Sequence, residues 1–521
     1  MEQAYDSMGW PTLDNVLKWY GFPTGYAKLI MECITDVIFS IIINGRNSKW
    51  IMAYSGFRQG CPLSPYLYIL CSQLLSNSIH ERGSNIGIQI SSRGPKITHL
   101  LYADDVIIFS QCSKDIAKEV KRIVDDFCSW TGQRVNDSKS QIMFGNVVGN
   151  QMRKKITKVL NFKNVKEMNY LGIKLSLNRL RAADFHDILT NMMDRLNTWG
   201  KKFLSLGGKV TLTTSSLLTM PNYLITHSMI TKKVLLTMEK LCRSFIWDKH
   251  DGSHGIHYIA WEDLCKPKNM GGLGLQSPTL KTGPLRANLS WNFLQKPDTL
   301  FHRVMRAKYG NNILNGTHKK STSKAWRILL DGGKSLKNIT RWNIGNGKDI
   351  NVLNDSWIYD KSINQWLTFA DCSALEGLCV QHLMLDNGQW NSNLLQNWFH
   401  PELVKVISNI QINSSNVDML EMQNFCPGRT ISGLAFEKVL RRKFNLTDDG
   451  YYNWLKKLKL SKKVEMFWWR LGNASIPTNL YLKNRKLDID SCARGCNTVE
   501  NYEHIIIQCK YMVEIINQLV N

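Results

Sequence analysis

The stretch "THLLYADDVIIFS" constrains this chain more than any other, because it sets two like charges, Asp104 and Asp105, between apolar runs too short for helices. Leu100, Leu101 and Tyr102 on one side and Val106 to Phe109 on the other read as two strands joined by a tight hairpin. The acids then sit at an exposed tip. Adjacent carboxylates repel, so such a tip is either a solvated acidic turn or a place where a divalent cation or cationic groups neutralise the pair. The neighbouring motifs have to decide between the two.

Composition narrows the partner. Lys and Arg number 66 against 42 Asp and Glu, a formal net charge of +24. That excess points to a polyanion, with nucleic acid the first candidate, although charge alone does not separate RNA, DNA and acidic membrane. Seventeen Trp and seventeen Tyr offer stacking surfaces or core packing. With 521 residues, 43% of them hydrophobic, the chain can bury the cores of roughly three domains. Single cysteines inside apolar segments, such as Cys33, Cys71, Cys112 and Cys242, are expected to be reduced core thiols. The start "MEQAYDSMGW" carries acids and no apolar segment, so it is not a signal peptide, and "VIFSIII" at 37–43 is too short to span a bilayer. A soluble intracellular protein, nuclear or cytoplasmic and without a membrane partner, is expected.

Residues 1–180 mix helical periodicity, as in "PYLYILCSQLLSNSI", with strand pairs near Asp104 and "YLGIKLS". Residues 185–290 read as helix after helix, with the basic "RLNTWGKKFLSLGGKV" among them. From about 325 the chain is richer in Trp, Asn and Gly. In "GFRQGCPLSPYLYILC", Gly60, Pro62 and Pro65 break structure ahead of a helix, leaving Arg58, Gln59 and Gly60 on a loop where amides and a guanidinium could face an anion.

Near the C-terminal end, "CARGC" and "EHIIIQC" supply Cys492, Cys496, His504 and Cys509. Three thiols and an imidazole at this spacing are either free core groups or a closed tetrahedral set for one structural Zn²⁺. The preceding basic run carries Trp454, Trp468 and Trp469. It suits both phosphates with unpaired bases and an amphipathic helix with a solvated face.

Taken in series, "AYDSMGW", "GFRQGCPLSPYLYILC", "YADDVIIF", "GQRVNDSKSQIMFG" and "YLGIKL" resemble the palm motifs of reverse transcriptases, and their wording is similar to plant non-LTR (LINE-type) retrotransposons. Later segments resemble the thumb, the connection and the zinc-binding module of the same elements. The resemblance implies an α+β fold: a right-hand palm with a small antiparallel sheet and packed helices at 1–180, an α-helical thumb at 181–290, a mixed connection region at 291–430 and a small zinc-binding helical tail at 431–521. The fingers would be largely missing.

The same resemblance implies RNA-directed DNA synthesis by two-metal phosphoryl transfer, with Mg²⁺ or Mn²⁺ held by Asp104 and Asp105. RNA template, DNA primer and deoxynucleoside triphosphates would be the partners. Tyr5 matches the aromatic under the nucleotide sugar, Gln59 and Gly60 the loop packed on the incoming nucleotide, with Arg58 beside it. Lys139 matches the lysine that protonates the pyrophosphate leaving group. Two departures stand out: Cys61 replaces the Asp that follows "RQG" in the family, and the first metal-binding Asp of the family falls just before Met1. Asp6 is expected to open the following helix and not to substitute for it. The chain is therefore expected to be an impaired polymerase, the alternatives being a nucleic-acid-binding remnant without catalysis and a maturase-like RNA-binding protein.

Overall fold

The computed structural model describes residues 1, 5–198, 204–248, 253, 255–317, 319, 321–359, 361–365, 370–413, 415–423, 427–444, 450–487 and 490–520. Parts of the segments singled out above, residues 199–203 in the basic run and 2–4 ahead of Tyr5, lie outside them. Two units emerge: Met1–Arg179 with Pro297–Gly310, and Leu180–Lys296 with Asn311–Asn521.

The first unit is organised by the helix Ser64–Arg82. Leu67, Tyr68 and Cys71 on its first turns enter a core with Met8, Leu13, Leu17, Ile34 and Phe57. Leu75 and Ile79, further along, join a second core with Ile86, Ile123 and Phe127. Against this second core lie Leu101, Val106 and Ile108, so one face of the hairpin His99–Tyr102/Asp105–Ile108 is covered. Strand alternation places the cross-strand pair Tyr102 and Asp105 on the other face, where both are exposed. The helix Lys114–Thr131 is capped at its start by the Ser113 hydroxyl and stops at Gly132, whose φ of 77° suits the left-handed end of a helix. The "YLGIKL" stretch forms a second hairpin, Glu167–Tyr170 with Ile173–Ser176, closed by Leu171 and Gly172 at φ 48° and 73°.

Among the described residues every sheet has two strands, so the small antiparallel sheet expected for this region is a set of separate pairs. One pair, Gln141–Ile142 with Lys163–Asn164, is parallel. The apolar run at 37–43 forms part of a ribbon that turns at Asn44-Gly45, φ 49° and 78°, and leaves Ile42 and Trp50 exposed by 71% and 75%.

The second unit is mostly helical. Its largest core gathers Met192, Leu217, Ile225, Met238, Phe245 and Leu264 from successive helices, together with Tyr452, Leu455 and Trp469 from the C-terminal segment. Trp469 is 4% exposed and donates to the Gly271 carbonyl at 2.8 Å. It is thus core and not a stacking platform, while Trp454 keeps 47% of its surface exposed. A separate core at 344–407 packs short irregular pieces around Ile350, Val352, Trp357 and Leu383. The helices Pro278–Gln295, Lys324–Leu336 and Ile431–Phe444 share a third core.

Every cysteine among the described residues is a free thiol; Cys71 and Cys242 are buried as expected, but Cys33 and Cys112 are exposed because they fall on solvent-facing positions of otherwise apolar segments. No helix among the described residues is long and apolar enough to cross a membrane.

Candidate functional site

The acidic hairpin turns over two residues, Ala103 and Asp104, with Ala103 at φ 50°, in the left-handed region that costs a non-glycine residue strain. Asp104 therefore stands at the tip and Asp105 opens the returning strand, both exposed. The Met1 amino group donates to the Asp104 carbonyl at 2.7 Å, which brings the start of the chain to the same turn.

The segment around Tyr5 is tied to the "GFRQG" loop by backbone bonds. Phe57 N–H donates to the Tyr5 carbonyl at 2.7 Å and Gly56 N–H to the Met8 carbonyl at 2.8 Å. Trp10 Nε1 donates to the Gly56 carbonyl at 2.8 Å. The Gln59 amide donates to both carboxylate oxygens of Asp6, at 3.2 and 3.3 Å. Asp6 thus faces the loop and does not open the next helix, which starts at Trp10 with Gly9 as its cap. Tyr5 lies against Tyr68 with ring centroids 5.1 Å apart, and burial pushes the Tyr68 phenol above its ordinary pKa. The Arg58 carbonyl accepts from the Ser64 hydroxyl at 2.7 Å.

Cys61 sits where the family pattern has Asp, and its surroundings are those of an anion. The Leu63 amide lowers its thiol pKa most, with Ser64 and Arg58 acting in the same direction against desolvation.

A cleft of 690 Å³ collects part of these groups. Met1, Asp6, Asp104 and Lys139 line it, with Ser7, Ser55, Gly132, Arg134 and Asn136. Of the residues singled out from sequence it brings together Asp104 and Lys139, whereas Asp105, Tyr5, Arg58, Gln59 and Gly60 are not among its lining residues. Gln59 touches it through Asp6. Arg134 and Asn136 were missed, although both lie in "GQRVNDSKS", where a cation and a turn-forming amide flank the lysine. Asn136 shapes that turn: its carbonyl accepts from Lys139 N–H at 3.2 Å, and its side-chain oxygen accepts from the same amide at 3.0 Å.

The C-terminal cluster is built differently. A bridge between Ser491 and Val499 closes a knuckle whose turn needs Gly495 at φ 84° and Asn497 at φ 54°. Glu500 is buried there and accepts from the Ala493 and Asn479 amides at 3.0 and 3.1 Å. The ligating atoms of Cys492, Cys496, His504 and Cys509 all lie within 4.8 Å of one another, with Cys496 Sγ 3.3 Å from Cys509 Sγ. A tetrahedral Zn²⁺ with Zn–S near 2.3 Å spaces its sulfurs by about 3.7 Å, so the set fits that ion with little movement. Desolvation raises Cys496 to about 11, with its sulfur neighbours adding to the rise. Cys509 is brought down to about 6: desolvation opposes the change, and the hydrogen bond from Cys496 leads the groups that lower it.

Comparison with known proteins agrees with both ends of the chain. Residues 1–175 match the family described as reverse transcriptase (RNA-dependent DNA polymerase), and residues 434–515 match zinc-binding in reverse transcriptase. An Arabidopsis thaliana protein provisionally named a ribonuclease H protein is 23% identical over 342 residues, 64% of this chain and 55% of its own length. The retrovirus-related Pol polyprotein from the type-1 retrotransposable element R2 of Popillia japonica is 23% identical over 53% of this chain and 45% of its own length. An uncharacterized 149 kDa protein of transposon TX1 from Xenopus laevis is 24% identical over 53% of this chain and 20% of its own length. The chain thus spans about half the length of the first two relatives. It carries a reverse transcriptase domain of the non-LTR retrotransposon type over residues 1–175 and the zinc-binding domain of reverse transcriptases over residues 434–515.

Proposed function

We propose that residues 1–180 are the palm of an RNA-directed DNA polymerase that copies an RNA template from a DNA primer with deoxynucleoside triphosphates. The observation that carries this is the cleft where Asp104 of the hairpin meets Lys139 and Arg134 of the following motif. Asp104 and Asp105 offer exposed hard oxygens, the donor type that Mg²⁺ or Mn²⁺ takes alongside substrate phosphates. Bound there, the ions supply charge that stabilises both the attacking 3′ oxygen and the departing pyrophosphate. Lys139 donates a proton to that pyrophosphate, Arg134 attracts its charge, and Gln59 and Gly60 pack on the nucleotide beside Arg58. Tyr5, braced by Tyr68, lies under the sugar. The helical residues 181–290 and the tail 431–521 grip the nucleic acid, the tail around one Zn²⁺.

A second reading, nucleic-acid binding without catalysis, draws on one contact: the carboxylate of Asp6, the other acid of the cleft, is occupied by Gln59. Two-metal transfer wants carboxylates on both sides of the ion pair. Because the Met1 nitrogen already touches the Asp104 turn, a residue joined to Met1 is carried to the same place.

Primer extension on an RNA template with Mg²⁺ tests the proposal. A chain extended by an Asp directly before Met1 incorporates nucleotides faster than chain 1–521. Asp104→Ala abolishes incorporation in the extended chain while template-primer binding persists, and Lys139→Ala slows it by about 10²–10⁴-fold. Template-dependent incorporation that survives Asp104→Ala overturns the assignment. Binding in all variants with incorporation in none favours the second reading.

A further inference from the structure

Between Asp137 and Glu167 the chain has no acidic residue and seven Lys or Arg, in a protein where 42 of 521 residues are acidic. Its centre is the helix Asn150–Leu160. Ile156 is buried with Ala117 and Phe144, and Met152, Val159 and Leu160 pack against the same core, an i, i+4, i+7, i+8 stripe that fixes which side faces inward. Lys154, Lys155 and Lys158 fall on the other side and are exposed. Arg153 is already engaged, donating to the Val148 and Gly145 carbonyls and lying over the Phe144 ring.

Several cations around these three lysines have carboxylate partners. On the neighbouring helix Lys118 faces Asp115 at 3.9 Å and Arg122 faces Glu119 at 3.6 Å. Lys174 pairs with Glu167 at 2.6 Å. Among the described residues no carboxylate pairs with Lys154, Lys155 or Lys158. Like charges this close on a helix repel, so a polyanion laid across them relieves a cost the fold otherwise carries.

The patch is also connected to the cleft. Lys139 lines the cleft, and two residues later Gln141 pairs with Lys163 in the parallel strand pair whose strands flank the helix in sequence. Lys163 and Lys166 are exposed. Cations therefore run from the cleft wall, across the strand pair, to the outer face of the helix. None of residues 153–166 lines the cleft itself.

We propose that this face holds a single strand of nucleic acid, by its phosphates, where the strand passes out of the cleft. Lys154 to Lys158 span about 6 Å along the helix, enough for two or three successive phosphates. Ammonium groups without a reading pocket bind the backbone and not the sequence. The direction of the strand rests on the polymerase reading; the charge argument does not.

The test is equilibrium binding of two RNA-template/DNA-primer duplexes, with 2- and 15-nucleotide template overhangs, across a salt series and without nucleotide. The full chain binds the long overhang more tightly. In Lys154→Glu/Lys155→Glu/Lys158→Glu that advantage disappears and the salt slope for the long overhang falls by about 2, at roughly 0.7 for each phosphate no longer neutralised. Affinity for the short overhang stays. The corresponding Gln variant, which keeps helix propensity, moves in the same direction by less. A control with Glu at the exposed Lys348, Lys361 and Lys405, equal in net charge, keeps the advantage.

The proposal is overturned if the Lys154 variant retains the overhang advantage, or if the control loses it equally. Capture of the full chain by phosphatidylserine vesicles that RNA does not compete away, with no overhang effect, also overturns it and assigns the patch to a membrane surface. Failure of Asp104→Ala to abolish extension bears on the polymerase reading alone.

Discussion

Gly56 and Gly60 have almost the same backbone conformation, φ 88° and 85°, and very different surroundings. A Cβ at Gly56 would lie 2.6 Å from the Asp6 carbonyl oxygen and 2.8 Å from Asp6 Cα, whereas at Gly60 nothing lies within 4 Å. Gly60→Ala therefore meets only the left-handed penalty, about 1–2 kcal/mol. Gly56→Ala meets the same penalty and must also push away the Tyr5–Met8 backbone, an overpacking cost of about 1–3 kcal/mol. The displacement weakens the bonds from Gly56 to Met8 and from Phe57 to Tyr5, which hold Asp6 at the cleft. The loss of unfolded-state freedom is common to both substitutions and drops out of the comparison.

For a unit near 200 residues each kcal/mol moves the midpoint by about 2–4 °C, so Gly56→Ala should melt about 2–12 °C below Gly60→Ala. Calorimetry of the full chain, following the transition of residues 1–179, measures the difference. Equal midpoints would refute the claim that close backbone approach, and not φ alone, selects glycine at 56.

Metal analysis should find about one zinc per chain, and Cys496→Ser should remove it and expose residues 491–509 to protease, because structural zinc binding is folding energy; zinc content indifferent to that change contradicts the site. Arg286, 2% exposed, donates to the Ile225 and Ser228 carbonyls at 2.9 and 2.8 Å and pairs with Asp331. Arg286→Met should cost about 3–5 kcal/mol in denaturant unfolding of the second unit, and a loss below about 1 kcal/mol would show that the pairing is dispensable. Burial, reinforced by His80, lowers the His99 pKa. The unfolded chain then binds more protons than the folded one, and this contribution to stability, present above an unfolded pKa near 6.5, is lost as pH falls from there through the lowered folded pKa. Urea unfolding between about pH 5 and 8 should show that slope in the native chain and a flatter one in His99→Gln; identical slopes would count against it.

What was legible in the sequence is what local periodicity determines. Two short apolar runs around two acids give a hairpin in any surroundings, and the helix Ser64–Arg82 follows from its Pro-rich start and long apolar stretch. Burial was less legible, because it depends on partners far along the chain. Trp469 reads as well for an exposed aromatic in a basic run as for a core residue; its place is fixed by Gly271, 198 residues away. The ribbon over 38–52 shows the opposite case: its Asn-Gly turn was a plain hairpin signal, yet apolarity alone would have put its isoleucines inside, and Ile42 is 71% exposed.

The candidate site divides in the same way. Spacing within one motif pointed to Asp104 and Asp105, which share one turn, and to the three thiols and one imidazole near the C-terminal end, which one knuckle brings together. Asp6 reads as a helix opener because a sequence displays a residue's chain neighbours and not the segments that cross it in space. In the folded chain the crossing element is the "RQG" loop, and it takes the Asp6 carboxylate through Gln59. One contact thus joins the first motif to the second, and the Met1 amino group, ahead of the first motif, bonds to the third. A carboxylate contributed by the first motif must compete with Gln59 for its orientation. Gln59→Ala should therefore free Asp6 to turn into the cleft, raising divalent-ion affinity measured by Mn²⁺ titration while weakening nucleotide binding; unchanged Mn²⁺ affinity would mean that Asp6 has no access to the Asp104 side.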